Sequence, residues 1–388
     1  MHFDARVQID LPHRVRFTRD AFAPDNSTLR DVFAENPWGQ RAKLLVVVDQ
    51  GLVAARPTLQ NQIQRYFEES SKHSPEIVGF RALPGGEQIK NDLSLLEALL
   101  GDLHRLGIDR RSTVLALGGG ALLDTVGFAA AMTHRGVRLV RMPSTTLAQT
   151  DSGVGVKNGV NMFGQKNFIG TFAVPWAVVN DLSLLDTLSD RDWRCGLAEA
   201  VKVALLKDTE LYHTIQRSAA DLTQRDAAVG DEVWKRSAKL HLHHITAPVS
   251  AGGGGDPFES AAARPLDFGH WAAHKLEALT DYELRHGEAV ALGLALDTTY
   301  AALAGLLPDP VARRVRGTLS SLGFQLSHPA LNDPALLGGL DEFRQHLGGR
   351  LTITLIRDVA RPIEVHEIDR VLMKHAAQQL LSVAAPVA

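Results

Sequence analysis

The sequence predicts an α/β fold, a parallel sheet with helices on both faces, followed by a mostly α-helical domain. Two observations carry this. The first half alternates short β-branched runs with leucine-periodic stretches. From about Asp181 the character changes, and leucine, alanine and histidine recur at helical spacing. A length of 388 residues supports the division, because it exceeds what one core organises comfortably.

Taken in order, "KLLVVVDQGL" (43–52) reads as a buried parallel strand that ends at Asp49. "NDLSLLEALLGDLHRLGI" repeats leucine at helical spacing. "STVLALGGG" (112–120) is a second strand breaking into Gly118, Gly119 and Gly120, and "ALLDTVGFAAAMTHRG" continues as a helix. "VRLVRMPST" (137–145) is a third strand. The second half carries helical pattern through "DRDWRCGLAEAVKVALLKD" and "DEVWKRSAKLHLHHI". "SAGGGGDPFESAAARP" (250–265) reads as a mobile loop beside a site, because helical pattern resumes on both sides.

Hydrophobic residues make up 45% and charged residues 22%, an ordinary globular balance. A net charge of −3 offers no field for nucleic acid or an anionic membrane, so neither is expected as a partner. An anionic substrate must then be held by locally placed Lys and Arg. The single cysteine, Cys195, excludes an internal disulfide and disfavours a thiolate metal site. The segment "MHFDARVQIDLPHRVRF" lacks a signal-type apolar core, and no run of about 18 apolar residues occurs, so a cytoplasmic protein is expected.

Three segments carry chemistry. "LDFGHWAAHKLEALTDYELRHGEAV" (266–290) places His270 and His274 four apart on one helical face, Glu277 three beyond, and His286 after a break. Imidazole and carboxylate are ligands for zinc, and catalytic sites use three protein ligands with one open position. With sixteen histidines in the chain, ordinary core or surface histidines are the competing reading. "LALGGGALLDTVG" puts glycines where a strand hands over to a helix, suited to a pyrophosphate or to a tight turn alone; it is not GxGxxG. Asp49 offers an acceptor for a ribose hydroxyl, or is a turn aspartate. The polar, glycine-rich "PSTTLAQTDSGVGVKNGVNMFGQKNFIGTF" (143–172) reads as a long functional loop. It supplies Asp151, Lys157, Lys166 and Asn167, groups suited to a hydroxylated, phosphorylated small molecule.

With these pieces in hand, the chain resembles the 3-dehydroquinate synthase-like sugar phosphate cyclases from about residue 43 to 355. The resemblance runs through "PGGEQIKN", "LGGGALLDTVGFAAAMTHRG", "MPSTTLAQTDSGVGVKNGVN", "QKNFIGTF", "GLAEAVKVA", "RPLDFGHWAAHKLE" and "RHGEAV", in the family's order. It implies a Rossmann-like NAD-binding domain over residues 1–180 and a helical metal- and substrate-binding domain over 181–388. It implies a divalent metal, usually Zn2+ with Co2+ as an alternative, on Glu199, His270 and His286. NAD would be bound by Asp49, Glu87, Lys90, Gly118, Gly119, Gly120, Asp124, Thr145, Thr146 and Lys166. Asp151, Lys157, Asn167, Lys202, Arg264, Asp267 and His274 would face a sugar phosphate. Arg135 resembles an arginine that reaches the phosphate in a neighbouring subunit, which makes a homodimer the expected assembly. Independently of the family, Glu199 and Lys202 are three apart, so a helix presents both to one place.

Two departures bear on the substrate. "GDPFES" carries Pro257 and Phe258 where these synthases place an "EK"-type lysine, and "LDFGH" has Asp267 in place of their asparagine. Removing a cation and adding an anion both disfavour a carboxylate-bearing substrate. Asp267 resembles the 2-epi-5-epi-valiolone synthases, His274 the dehydroquinate type, and Arg344 and His346 stand where late paired lysines are usual. The reading is a ketose phosphate without a carboxylate, such as sedoheptulose 7-phosphate, with the carboxylate-bearing DAHP as alternative. The competing classes are a glycerol dehydrogenase-type alcohol dehydrogenase and a non-catalytic NAD or sugar-phosphate sensor.

Overall fold

In chain order the first strands are β1 (Val15–Thr18), β2 (Lys43–Asp49), β3 (Glu76–Leu83), β4 (Thr113–Gly118), β5 (Arg138–Pro143), β6 (Lys157–Met162), β7 (Gln165–Phe172) and β8 (Ala177–Asp181). Six of them pair in the order β1-β8-β5-β4-β2-β3, all in parallel. β4 is buried at every position and β2 from Leu44 to Val48, as strands covered on both faces must be. Alternate residues Leu44, Val46 and Val48, Leu115 and Leu117, and Val140 and Met142 join one core with Ile63, Tyr66 and Phe67. The chain leaves β2 for the edge strand β3 and crosses back to β4. The carboxyl ends of β2 and β4 therefore flank the reversal in strand order, where open α/β sheets bind ligands.

This computed structural model describes residues 2–5, 9–35, 42–69, 74–163, 165–247, 255, 257, 265–346 and 348–383. Two units are present: residues 1–144 with 152–187, and residues 145–151 with 188–388. Relative to a boundary near residue 181, Leu182–Thr187 stays with the first unit and 145–151 joins the second. The glycine-rich segment 250–265 lies almost wholly outside the described residues.

The stretch 143–172 is not the long structureless loop its composition suggests. Thr146–Thr150 is a helix, and β6 and β7 form an antiparallel hairpin. The cause is Arg141, fully buried on β5. Its guanidinium donates to the carbonyls of Ser152, Gly153, Gly155 and Lys157 and to Asn158 Oδ1. One cation thereby satisfies carbonyls that a turning chain would otherwise leave unpaired.

In the second unit the Asp190–Lys207 helix is buried from Cys195 to Leu206, and the His286–Leu303 helix from Ala289 to Ala301. Apolar and small residues all round a helix mark it as central rather than amphipathic. The helices Thr209–Arg217, Ala227–Thr246, His270–Leu279, Asp309–Ser321 and Arg370–Val383 complete much of the unit, with a hairpin of β9 (Ile353–Asp358) and β10 (Arg361–Val365). Among the described residues no helix is long and apolar enough to cross a membrane.

Candidate active site

The second unit brings Glu199, His270 and His286 together from three helices, with their ligand atoms within 4.8 Å of one another. Close backbone approach makes this convergence possible. A Cβ on Gly287 would lie 2.3 Å from the Cys195 carbonyl oxygen, so only glycine lets the helix begun by His286 meet the helix carrying Glu199. Asp297, fully buried on the His286–Leu303 helix, accepts from Gly269 N at 3.0 Å and Trp271 Nε1 at 2.9 Å. Those bonds fix the backbone before His270 and the indole after it.

Glu199 Oε1 lies 3.4 Å from His270 Nε2 and 3.3 Å from His286 Nε2. A tetrahedral ion with bonds of about 2.0–2.1 Å separates its ligand atoms by about 3.3 Å. Both Glu199 oxygens are buried and make no directed hydrogen bond among the described residues. Behind the imidazoles, His270 Nδ1 is 3.1 Å from the Phe268 carbonyl and His286 Nδ1 is 3.2 Å from Glu277 Oε2. In the neutral rings these acceptors place the proton on Nδ1, and both Nε2 lone pairs then face Glu199. The donor set, its spacing and its outer partners all fit a divalent cation.

Lys202 Nζ lies 2.5 Å from Glu199 Oε2 and 4.0 Å from Asp151 Oδ1. Burial opposes its charge, but Glu199 and Asp151 hold its pKa above the ordinary lysine value, with Asp267 adding to them. Burial also opposes ionisation of Glu199, and Lys202 and His270 outweigh it, so the carboxyl stays well below the usual range. Asp151 is depressed in the same way, through Lys202 and His241. Burial alone would neutralise His286; Glu277 and Glu199 lift it to about 9 when no metal competes. His274 is exposed, its ring centroid 5.5 Å from that of His270 and 5.9 Å from that of His286.

The first unit gathers a second group. Buried Lys90 donates to Asp124 Oδ2 at 2.6 Å and Asn167 Oδ1 at 2.9 Å. Glu87 Oε1 lies 3.9 Å from Lys90 Nζ and 3.8 Å from Lys166 Nζ. Asn161 ties in the hairpin: its Oδ1 accepts from Asn167 N and its Nδ2 donates to Asn91. The glycines stand where β4 ends, with Gly119 capping the Gly120–Met132 helix. A Cβ on Gly120 would lie 2.4 Å from Ser152 Oγ, so the turn admits no side chain. Free amides at a helix start beside a bare turn fit a pyrophosphate. Asp49 Oδ1 accepts from Gly51 N at 2.7 Å and caps the Gln50–Ala55 helix. Lys157 is exposed at the start of β6. Arg135 is exposed in a turn where His134 and Arg135 both have positive φ, 51° and 62°; such strain gathers at functional positions.

The structure shows where the Thr146 side chain goes. Its side chain is fully buried, donating to the Trp193 carbonyl at 2.9 Å and accepting from Gly196 N at 3.2 Å. The hydroxyl anchors the Glu199 helix. Thr145 caps its short helix by accepting from Ala148 N. Arg264 and Phe258 lie outside the described residues. Sequence reasoning missed the roles of Glu277, His241, Arg141 and Asn161. Only Glu277 carried a local signal, being seven residues and so two turns beyond His270 on one face.

Comparison with known proteins decides the family. Residues 81–195 match the model described as 3-dehydroquinate synthase N-terminal, and 196–342 the 3-dehydroquinate synthase C-terminal model. A 3-dehydroquinate synthase of Dictyoglomus thermophilum is 32% identical over 302 residues, 78% of this chain and 81% of that protein. The chain belongs to the 3-dehydroquinate synthase family. Within that family it is also similar to a 2-epi-valiolone synthase of Actinosynnema mirum, 37% identical over 284 residues, 73% of this chain and 70% of that protein. The solved 2-epi-5-epi-valiolone synthase of Streptomyces hygroscopicus subsp. jinggangensis, with NAD+ and Zn2+ bound, superposes with a TM-score of 0.86 at 27% identity. That match covers 98% of this chain and 100% of the other. The 3-dehydroquinate synthase family thus spans both units and accounts for the fold.

Proposed function

We propose that this protein is an NAD- and divalent-metal-dependent sugar phosphate cyclase, a lyase that eliminates phosphate from a phosphorylated ketose and closes a carbocycle. The observation that carries the reading is the Glu199, His270 and His286 set, with both imidazoles oriented from behind and both carboxylate oxygens without directed hydrogen bonds. These three residues would hold the metal, and the Gly118–Gly120 turn with Glu87, Lys90, Asp124 and Lys166 would hold NAD. When bound, the two groups supply Lewis acidity and reversible hydride removal, with no net redox change.

The chain's own residues do the rest. Lys202, kept charged between Glu199 and Asp151, offers N–H donors to an oxygen on which negative charge develops. Asp151 orients substrate hydroxyls by accepting from them. His274 and Lys157 are exposed groups suited to the phosphate, as donors to its oxygens. Arg135 would reach the phosphate of a neighbouring subunit, which makes a homodimer the proposed assembly.

Asp267 supports a substrate without a carboxylate. It lies near enough to Lys202 to raise that lysine's pKa, so a substrate carboxylate there would meet Asp267, Asp151 and Glu199 against one buried ammonium. Sedoheptulose 7-phosphate is the proposed substrate class member. The test is phosphate release from DAHP, sedoheptulose 7-phosphate and glucose 6-phosphate, each with NAD and zinc. Phosphate release without NADH accumulation is expected from sedoheptulose 7-phosphate. Turnover of DAHP alone overturns the substrate assignment, and steady NADH accumulation overturns the cyclase.

A further inference from the structure

The Ala227–Thr246 helix packs on the Thr146–Thr150 helix, which ends at Asp151, and on the helix that carries Glu199. From it His241 places Nδ1 2.9 Å from Asp151 Oδ1, with 12% of its side chain exposed. The same Asp151 oxygen is 4.0 Å from Lys202 Nζ, and Lys202 is 2.5 Å from Glu199. An unbroken line of groups therefore runs from His241 to the candidate metal ligands, all within the second unit. We propose that His241 is a catalytic proton acceptor for a substrate hydroxyl, oriented by Asp151. The proposal rests on the cyclase reading given above.

An ionised carboxylate only accepts hydrogen bonds, so the imidazole must donate from Nδ1, and in the neutral ring the lone pair is then on Nε2. Among the described residues Nε2 has no hydrogen-bond partner, and it is not sealed from solvent. A carboxylate behind an imidazole whose far nitrogen is available is the arrangement that makes a general base. The neighbouring cation favours the role, because Lys202 and His241 together hold the Asp151 carboxyl below its usual range against the effect of burial.

The step balances. The substrate O–H bond breaks, its proton joins Nε2, and the electron pair left on oxygen becomes the carbonyl π bond as the carbon's hydride passes to an oxidised nicotinamide. When the carbonyl is reduced again, the imidazolium returns the proton to oxygen, so the pair is unchanged over one cycle.

The test uses full-length protein loaded with zinc and NAD. Nitrogen-15 NMR of the His241 ring should show the proton on Nδ1 and a bare Nε2, and the preference should weaken in Asp151→Asn. His241→Gln should lower kcat by about 100-fold with KM within threefold and zinc content unchanged. Added imidazole should restore part of the turnover of His241→Ala. A ring protonated on Nε2 alone overturns the proposal, as does His241→Gln with kcat within threefold of wild type. If the wild type releases phosphate from no sugar phosphate, the cyclase reading fails. The catalytic role of His241 falls with it, and the tautomer then decides only the Asp151–His241 pairing.

Discussion

The two units each bury a network of charge, and the networks are finished to different degrees. Around Lys90 the protein supplies the partners: Asp124 and Asn167 accept from the ammonium, and Asn161 ties the hairpin to the Glu87 turn. Around Glu199 the outer partners are complete, with the Phe268 carbonyl and Glu277 behind the two histidines, yet the carboxylate oxygens at the centre make no directed hydrogen bond. Lys202 compensates the charge of that carboxylate, and the two imidazoles beside it complete a donor set for a cation. The first network closes on its own side chains, and the second converges on one point where a cation fits.

The largest expected effect breaks the second network at its centre. Glu199→Ala should lose zinc, read by elemental analysis, and lower turnover by at least about 1,000-fold, while NAD binding followed by calorimetry persists. Zinc content near wild type would remove the ligand assignment. In the first unit, Lys90→Met removes the cation beside the part-buried Asp124, so a loss of about 2 kcal/mol is expected by chemical denaturation, with zinc content unchanged. A loss under 0.5 kcal/mol would mean that the Lys90 network is not closed in the sense drawn above.

A pH test sharpens the contrast. Burial pushes the Asp297 carboxyl up to about 7, against the N–H donors of Trp271 and Gly269 that lower it. Between about pH 4 and pH 7 the folded chain then holds a proton that the unfolded chain has released. Stability of the second unit should be highest at the acid end of that window and fall as pH rises to 7. The fall between pH 5 and pH 7 should be about 2 kcal/mol, and Asp297→Asn should remove it. An unchanged slope in the variant would assign the pH dependence elsewhere. The smallest effect is expected behind the metal ligands: Glu277→Gln keeps the shape but weakens the charge on His286, so zinc affinity by chelator competition should drop about tenfold. No drop would show that Glu277 is a packing residue only.

Much of this was legible in the chain. The β-branched runs at 43–49 and 113–118 became parallel strands, and the leucine period after Asp92 became the Leu93–Arg105 helix capped by that aspartate. The three candidate ligands were legible because two share a local segment and the third sits in a family motif. The 143–172 stretch was misread as a loop, because its order comes from one arginine outside it. That the Thr146 hydroxyl turns toward the Trp193 carbonyl was not legible, because a motif records that a threonine is present, not which way its hydroxyl turns.

The sequence by itself determined the alternation of strand and helix, the change to helical pattern past Asp181, and the residue types able to grip a cation. All of these follow from neighbours within a turn or two of backbone, where side-chain direction is set by local geometry. Tertiary structure alone decided that residues 145–151 join the second unit, that Arg141 organises the following turn, and that His241 meets Asp151. These pairings join residues remote in the chain or turn on how a side chain is buried. Such contacts are selected by the packing of whole helices and sheets, and no local period encodes them.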